Sequence, residues 1–99
     1  LAAKEWKTYD AFFERHSDGD GEWKVKNPKV KEPWMIEIEG VRFKMKLTSF
    51  GHLGIFPEQK KNWLQMRELV QARKKTVSAF KVLNLFAYTG GSTMFCAQG

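Results

Sequence analysis

The sequence predicts an α/β protein in which a small antiparallel β module precedes a helix, a short buried strand and a second helix. Apolar and polar residues alternate along residues 34–47, which is the period of half-buried strands. Apolar residues recur every three or four positions along residues 57–75, which is the period of an amphipathic helix. A short apolar run at residues 82–86, followed by Gly90 and Gly91, predicts a strand, a turn and a helix start.

Length and composition limit the classes of protein to which this chain can belong. The 99 residues, 42% of them hydrophobic, make one small domain or part of one. The sequence begins at Leu1 and stops at Gly99 inside a predicted helix, so we expect an N-terminal fragment. No apolar run approaches the about 18 residues of a membrane span, and no secretory signal is present. Cys96 is a single cysteine, which excludes a disulfide scaffold and fits a reducing cytoplasm.

The net charge of +6 is unevenly distributed along the chain. Residues 1–40 hold seven Lys and Arg against nine Asp and Glu, whereas residues 41–81 hold ten against two. A basic segment of this kind attracts polyanions such as RNA, because neutralised phosphates release their counterions. The same charges also suit an ordinary solvated surface, so charge alone leaves both interpretations open.

The first 22 residues contain one open assignment and one turn. Aromatic spacing along residues 2–16 is compatible with a helix or with a short strand before a turn. Residues 17–22 form a cluster of Asp, Gly and Ser typical of a turn. Their alternating acids suggest calcium, but a calcium loop needs Gly at its sixth position and Glu at its twelfth, where Trp23 and Lys29 stand. The sequence therefore predicts a plain turn and no metal site.

Two amphipathic strands follow an irregular one. Residues 23–30 resemble a strand that Pro28 and Pro33 keep out of the centre of a sheet. With Glu39 and Gly40 as a two-residue turn, the next two strands sort apolar and charged side chains onto opposite faces. In this register the facing pairs are Ile38 with Val41, Ile36 with Phe43, and Glu37 with Arg42.

Pro57 opens the predicted helix, because the N–H that proline lacks would have no partner in the first turn. Trp63, Met66 and Val70 form its apolar stripe, which predicts core packing. Further on, the Gly90-Gly91 turn exposes backbone that a ligand can approach. The chain lacks both G-x-G-x-x-G and a phosphate-binding Gly-Lys-Ser/Thr, so a nicotinamide-dependent oxidoreductase is disfavoured.

The glycine turn also carries a family resemblance. The segment Val82-Leu83-Asn84-Leu85-Phe86-Ala87-Tyr88-Thr89-Gly90-Gly91 resembles motif I of class I S-adenosylmethionine-dependent methyltransferases. Its Leu-Phe-Ala-Tyr-Thr-Gly-Gly form is similar to that of the large-subunit ribosomal RNA cytosine-5 methyltransferase family. Residues 51–63 resemble the Gly-x-x-x-Gly-x-Phe-x-acid-Gln element upstream of that motif, and residues 17–22 resemble the turn of a small N-terminal β domain in one subgroup.

The resemblance implies a fold, a cofactor and a set of binding residues. The implied fold is α/β, with a small N-terminal antiparallel β module at residues 1–47 leading into the first strand and helix of a Rossmann-like methyltransferase domain at residues 48–99, truncated at its end. The implied cofactor is S-adenosylmethionine. Its expected binding residues are His52, Phe56, Gln59, Asn84, Phe86, Ala87, Tyr88, Thr89, Gly90 and Gly91.

The resemblance also has departures and gaps. Asn84 stands where many methyltransferases have a carboxylate, and Lys60 stands where related enzymes often have Arg. Cys96 lies in the helix after motif I, so we interpret it as structural and not as the attacking thiolate of cytosine-5 chemistry. The catalytic residue and the acidic residue for the ribose hydroxyls are expected beyond residue 99.

The sequence as a whole favours a methyltransferase that acts on RNA, with a ribosomal RNA base as acceptor, in the cytoplasm. The present 99 residues would be its non-catalytic N-terminal part. The alternative from another class is a basic β module that binds nucleic acid without catalysis. Such a module would not need the buried strand at residues 82–86, which lacks parallel neighbours in this chain.

Overall fold

A computed structural model describes residues 4–99. The elements follow one another as a 3-10 helix (Glu5–Lys7), β1 (Ala11–Arg15), β2 (Gly21–Val25), β3 (Trp34–Ile38), β4 (Val41–Met45), a second 3-10 helix (Pro57–Gln59), α1 (Lys60–Lys74) and α2 (Gly91–Gln98). The strands form two separate two-stranded sheets, β1 with β2 and β3 with β4. Neither α-helix among these residues has the length and apolar character that a membrane crossing requires.

The first hairpin resolves the open assignment near the N-terminus in favour of a strand. Strands β1 and β2 pair antiparallel, with Phe13 opposite Trp23, and the two rings meet edge to face at 5.4 Å. The predicted turn between the strands is confirmed, because the His16 N–H donates to the Asp20 carbonyl at 2.7 Å. Strand β2 ends at Val25, earlier than the sequence predicted, and so stops before Pro28.

The second hairpin is the one that the sequence predicts. Glu39 and Gly40 form its turn, with φ of 50° and 84°, the left-handed region that a primed two-residue turn requires. Along β4 buried and exposed side chains alternate strictly, and along β3 half-buried and exposed ones do so. The predicted amphipathic strands are therefore confirmed.

Contacts divide the chain into two units. The first unit runs to Ile36 and resumes at Lys44–Gly54, so it contains the first hairpin. The second unit consists of Glu37–Phe43 and Ile55–Gly99, so it contains both α-helices and the turn of the second hairpin. The predicted division into residues 1–47 and 48–99 stays a prediction.

The second unit has an aromatic core. The Trp63 ring of α1 stacks on Phe43 of β4 at 5.5 Å and on Phe95 of α2 at 5.3 Å, and all three side chains are buried. The predicted helix is confirmed, with Pro57 opening a 3-10 turn that continues as α1. Helix α2 confirms the predicted helix start after the glycines.

The prediction of a buried strand at residues 81–86 is wrong for this chain. These residues form no strand, and Leu83 and Phe86 are 82% and 93% exposed. An isolated extended segment has no ladder partners for its N–H and C=O groups, and residues 4–99 supply no neighbouring strand for it. The apolar pattern is present, but the elements that would bury it are not among the described residues.

Candidate functional site

A cavity of about 420 Å³ lies in the second unit, between the start of α1 and the start of α2. Seven of the ten residues that the family resemblance assigns to cofactor binding line this cavity. These seven are Phe56, Gln59, Phe86, Ala87, Tyr88, Thr89 and Gly91. Glu58, Trp63 and Ser92 complete its lining.

The glycine turn forms one wall of this cavity through an unusual backbone. Tyr88, with φ of 49°, and Gly90, with φ of 88°, both have left-handed conformations. The Gly90 N–H donates to the Ala87 carbonyl at 2.7 Å, which closes the turn, and the Gly90 carbonyl accepts from the Met94 N–H inside α2. The first residues of α2, Gly91 and Ser92, line the cavity. The N–H groups of this helix start, which lack partners within the helix, are thus close to the cavity.

The two adjacent glycines are required for different reasons. A Cβ at Gly90 would meet no atom within 4 Å, so the space beside the turn is open and only the positive φ favours glycine. A Cβ at Gly91 would lie 2.9 Å from Cζ2 of Trp63, so this glycine lets α2 approach the aromatic core closely. Gly90 therefore serves the turn, and Gly91 serves the packing beneath it.

Aromatic rings supply the apolar surface of the cavity. The rings of Phe56 and Tyr88 contact each other with centroids 5.1 Å apart and planes inclined at 45°. The Phe86 side chain is almost fully exposed at the same cavity. Aromatic faces attract cations through their quadrupole, so this surface suits a ligand that carries a positive charge beside an apolar group.

Three of the predicted residues are not among those that line this cavity. His52 belongs to the first unit, where its N–H donates to Oγ1 of Thr48 at 3.2 Å and its carbonyl accepts from the same hydroxyl at 2.8 Å. Asn84 donates from Nδ2 to Oγ1 of Thr93 at 3.0 Å and lines a neighbouring cavity of about 500 Å³. Gly90 is the residue before α2 and shapes the turn. Their assignment to cofactor binding stays a prediction.

Lys60 has a partner that the sequence did not reveal. Its Nζ lies 2.9 Å from Oε1 of Glu39, the first residue of the hairpin turn. The hydrogen bond from Lys60 and then its charge lower the pKa of Glu39 below the ordinary value. The Glu39 carbonyl also accepts from Nε2 of Gln98 at 3.2 Å. Glu39 thus joins the hairpin turn to α1 through Lys60 and to α2 through Gln98, and both residues are distant from it in sequence.

Sequence reasoning also missed three residues that line the cavity. Trp63 was assigned to the core alone, yet its ring both stacks in the core and reaches the cavity. Glu58 and Ser92 had a signal in the sequence, because each directly neighbours a predicted site residue at the start of a helix. Cys96 is half-buried on α2, in agreement with a structural role, and it lines the neighbouring cavity beside Asn84.

One cluster in the first unit has metal-ligand chemistry. One ligand atom each of Glu14, His16 and Glu22 lie within 4.8 Å of one another, and all three residues are exposed. The Lys24 ammonium forms an ion pair with Glu14 and lies 4.0 Å from Glu22. This lysine lowers the pKa of Glu14 through a hydrogen bond and its charge. The cluster is thus already neutralised in part by a side chain of the protein.

The glycine turn, the start of α2 and the aromatic rings surround one cavity, and in α/β enzymes a turn of this kind before a helix is a common place for a ligand. Comparison with solved structures identifies an enzyme to which the chain is similar. The chain is similar to a crystal structure described as the SAM-dependent methyltransferase from Agrobacterium tumefaciens, with 35% sequence identity and a TM-score of 0.76. The likeness covers 98% of this chain and 30% of that one.

The chain therefore has a methyltransferase-related fold and spans about 30% of the length of that relative. The likeness supports the predicted class of S-adenosylmethionine-dependent methyltransferases. The narrower resemblance to the ribosomal RNA cytosine-5 family stays a prediction. No protein-family model matches the chain, and no curated protein matches it.

Proposed function

We propose that this chain is part of a methyltransferase that uses S-adenosylmethionine, and that the cavity of the second unit holds the cofactor. The observation that carries the proposal is the meeting of Phe56, Tyr88 and the glycine turn around one cavity. Its support is the 35% identity, over 98% of this chain, to a part of a SAM-dependent methyltransferase.

The cavity residues suit the parts of this cofactor. S-adenosylmethionine supplies an electrophilic methyl group: the acceptor bonds to the methyl carbon, the carbon–sulfur bond breaks, and S-adenosylhomocysteine leaves. The rings of Phe56 and Tyr88 would stabilise a sulfonium charge, and the Glu58 carboxylate would attract an ammonium group. The N–H groups at the start of α2 would hold a carboxylate, and Gly90 leaves the space beside the turn open.

We further propose RNA, and specifically a ribosomal RNA base, as the methyl acceptor. The support is the excess of ten Lys and Arg over two Asp and Glu in residues 41–81, together with the motif resemblance. We propose a cytoplasmic location, because the single cysteine, Cys96, fits a reducing compartment. The catalytic residue is expected outside the present chain.

The first experiment is a calorimetric titration of the full-length protein with S-adenosylhomocysteine, with NADH as the control ligand. Micromolar binding of S-adenosylhomocysteine alone is expected. Binding of NADH alone would instead favour a nicotinamide-dependent oxidoreductase. Binding of neither, with intact affinity for RNA, would favour a basic module without catalysis.

A matched pair of glycine variants locates the site. Gly90 and Gly19 have similar φ of 88° and 94°, and a Cβ at either would meet no atom within 4 Å. Gly90→Val and Gly19→Val therefore introduce similar backbone strain, but only Gly90 lies in the turn whose neighbouring residues Thr89 and Gly91 line the cavity. We expect Gly90→Val to weaken S-adenosylhomocysteine binding at least about tenfold, roughly 1.4 kcal/mol. Equal affinity of the two variants would contradict the placement.

The acceptor is tested by methyl transfer from isotopically labelled S-adenosylmethionine. Ribosomal RNA, a protein extract freed of nucleic acid, and a small-molecule extract are offered separately to the full-length protein. Incorporation of label into RNA alone is expected. Incorporation into protein or small molecules alone would exclude RNA as the acceptor and leave the cofactor assignment intact.

A further inference from the structure

The first unit contains a cavity of its own, with a volume of about 610 Å³. We propose that it binds one nucleotide of single-stranded RNA, with the base against tryptophan and the phosphate at two lysines. This inference rests on the proposed function in one respect, which is that the protein binds RNA. The cavity is lined by Asp10, Ala11, Trp23, Lys29, Val30, Lys31, Trp34, Leu47 and Leu53.

The floor of this cavity is aromatic, and one of its rings is fixed. Nε1 of Trp23 donates to the Thr48 carbonyl at 2.8 Å, and its ring meets Phe13 edge to face. Trp34, half-buried at the start of β3, supplies the second indole. Bases stack on such rings whatever their sequence, because every base has a π face, and a ring already held in place loses little entropy on binding.

Two lysines line the cavity, and the only carboxylate among the described residues of its lining is that of Asp10. Lys29 and Lys31 are exposed and flank Val30, which lines the cavity between them. The loop that carries them is fixed by Asn27, whose Oδ1 accepts from the Lys29 N–H at 3.0 Å and whose carbonyl accepts from the Val30 N–H at 3.1 Å. Two ammonium groups beside an aromatic floor match a nucleotide, which joins a flat base to an anionic phosphate.

One carboxylate adds a preference among bases. Oδ1 of Asp10 accepts from Nδ2 of Asn27 at 2.7 Å, which orients the carboxylate at the cavity. A carboxylate accepts from an exocyclic amino group such as that of cytosine, whereas the carbonyl oxygens of uracil repel it. A methylated ammonium ligand would also suit tryptophan and Asp10, but Lys29 and Lys31 oppose a cation. The charges therefore favour a nucleotide with an amino-bearing base.

The test measures binding of fluorescently labelled oligocytidylate and oligouridylate to the full-length protein. Trp34→Ala should weaken binding of oligocytidylate roughly tenfold, because a stacked base is lost. Trp6→Ala is the matched control, since Trp6 is an exposed tryptophan of the same unit outside the cavity lining. Equal affinity of both variants and wild type would overturn the proposal.

The lysines and Asp10 give two tests that do not depend on a core residue. The double variant Lys29→Ala/Lys31→Ala should lower the slope of log affinity against log salt by about 0.7 per lysine, whereas Lys4→Ala/Lys7→Ala should not. Asp10→Asn should reduce the preference for oligocytidylate over oligouridylate several-fold. An unchanged salt slope together with an unchanged base preference would overturn the proposal even if Trp34→Ala fails to fold.

Titration with S-adenosylhomocysteine separates this inference from the proposed function. Loss of RNA affinity in the cavity variants with normal S-adenosylhomocysteine binding supports both. RNA binding that depends on Trp34 in a protein without affinity for S-adenosylhomocysteine supports the nucleotide cavity and refutes the methyltransferase. Binding of a trimethyllysine peptide in place of the oligonucleotides would overturn the nucleotide cavity alone.

Discussion

Two regions of the second unit are both apolar in sequence but differ in burial. The rings of Phe43, Trp63 and Phe95 stack on one another and are buried, whereas the run at residues 82–86 is largely exposed. The stack draws one ring from a strand and one from each of two helices, so each element covers the others. The comparison shows that an apolar pattern becomes core only where partner elements exist to cover it.

Amide hydrogen exchange gives the sharpest contrast between the two regions. In the 99-residue chain we expect the amides of residues 82–86 to exchange freely, because they have no strand partner. In the full-length protein we expect exchange slower by on the order of a thousandfold or more, as for a central strand. The α1 amides, which are hydrogen-bonded within the helix, provide the protected reference. Fast exchange in the full-length protein would show that the run never becomes a strand.

Truncation of the stack should have the largest effect on stability. Phe95→Ala removes a fully buried ring, so we expect the free energy of unfolding to fall by about 3–5 kcal/mol in urea titrations. Leu69→Ala is the control on α1, because Leu69 is exposed and should change stability by no more than about 0.5 kcal/mol. Similar losses for both variants would mean that the stack is not the core.

The two glycines beside the stack should separate stability from binding. Gly91→Ala places a methyl group against Trp63, and the overpacking should lower the free energy of unfolding by about 1–3 kcal/mol. Gly90→Ala meets no atom and carries only the strain of a positive φ, about 1–2 kcal/mol. Urea titrations and S-adenosylhomocysteine binding are measured on both variants. An unchanged free energy of unfolding in Gly91→Ala would contradict the close contact with Trp63.

The smallest expected effect concerns the ion pair between Glu39 and Lys60. Lys60 lowers the pKa of Glu39 in the folded chain, so the carboxylate stabilises the fold above the ordinary carboxyl pKa. This stabilisation is lost as the pH falls through the lowered pKa. Glu39→Gln should therefore lower Tm slightly at pH 7, and the difference from wild type should vanish once the pH falls below the lowered pKa. Glu37→Gln, on strand β3, is the control, and an equal pH-dependent change there would exclude the ion pair as the cause.

Local patterns predicted the local features of this fold. The Glu39-Gly40 turn, the alternation along β4 and the start of the helix at Pro57 each depend on a few neighbouring residues, and each is confirmed. The prediction of a buried strand at residues 82–86 was wrong, because the burial of a strand depends on elements distant in sequence. The ion pair of Lys60 with Glu39 could not be predicted for the same reason, since the two residues are 21 positions apart and no local pattern links them.

The candidate site also combines features that a local motif predicts with features that depend on residues distant in sequence. Residues 86–89 and Gly91 belong to one short motif, so their place at one cavity follows from that motif. The contact of Phe56 with Tyr88 joins two motifs that the family resemblance assigned to one cofactor site, although no spacing along the chain shows that they meet. The cavity of the first unit had no sequence signal, because Trp23, Trp34 and Leu53 come from three separate segments.

The discontinuous composition of the second unit affects where this protein can be cut. Residues Glu37–Phe43 belong with the helices although a stretch assigned to the first unit separates them in sequence. A shorter protein that begins at residue 48 would keep Trp63 and Phe95 but lose Phe43 from the stack, and it would leave Lys60 without Glu39. A shortened chain that contains the second unit should therefore begin before Glu37, so that the hairpin turn remains with the two helices of this unit.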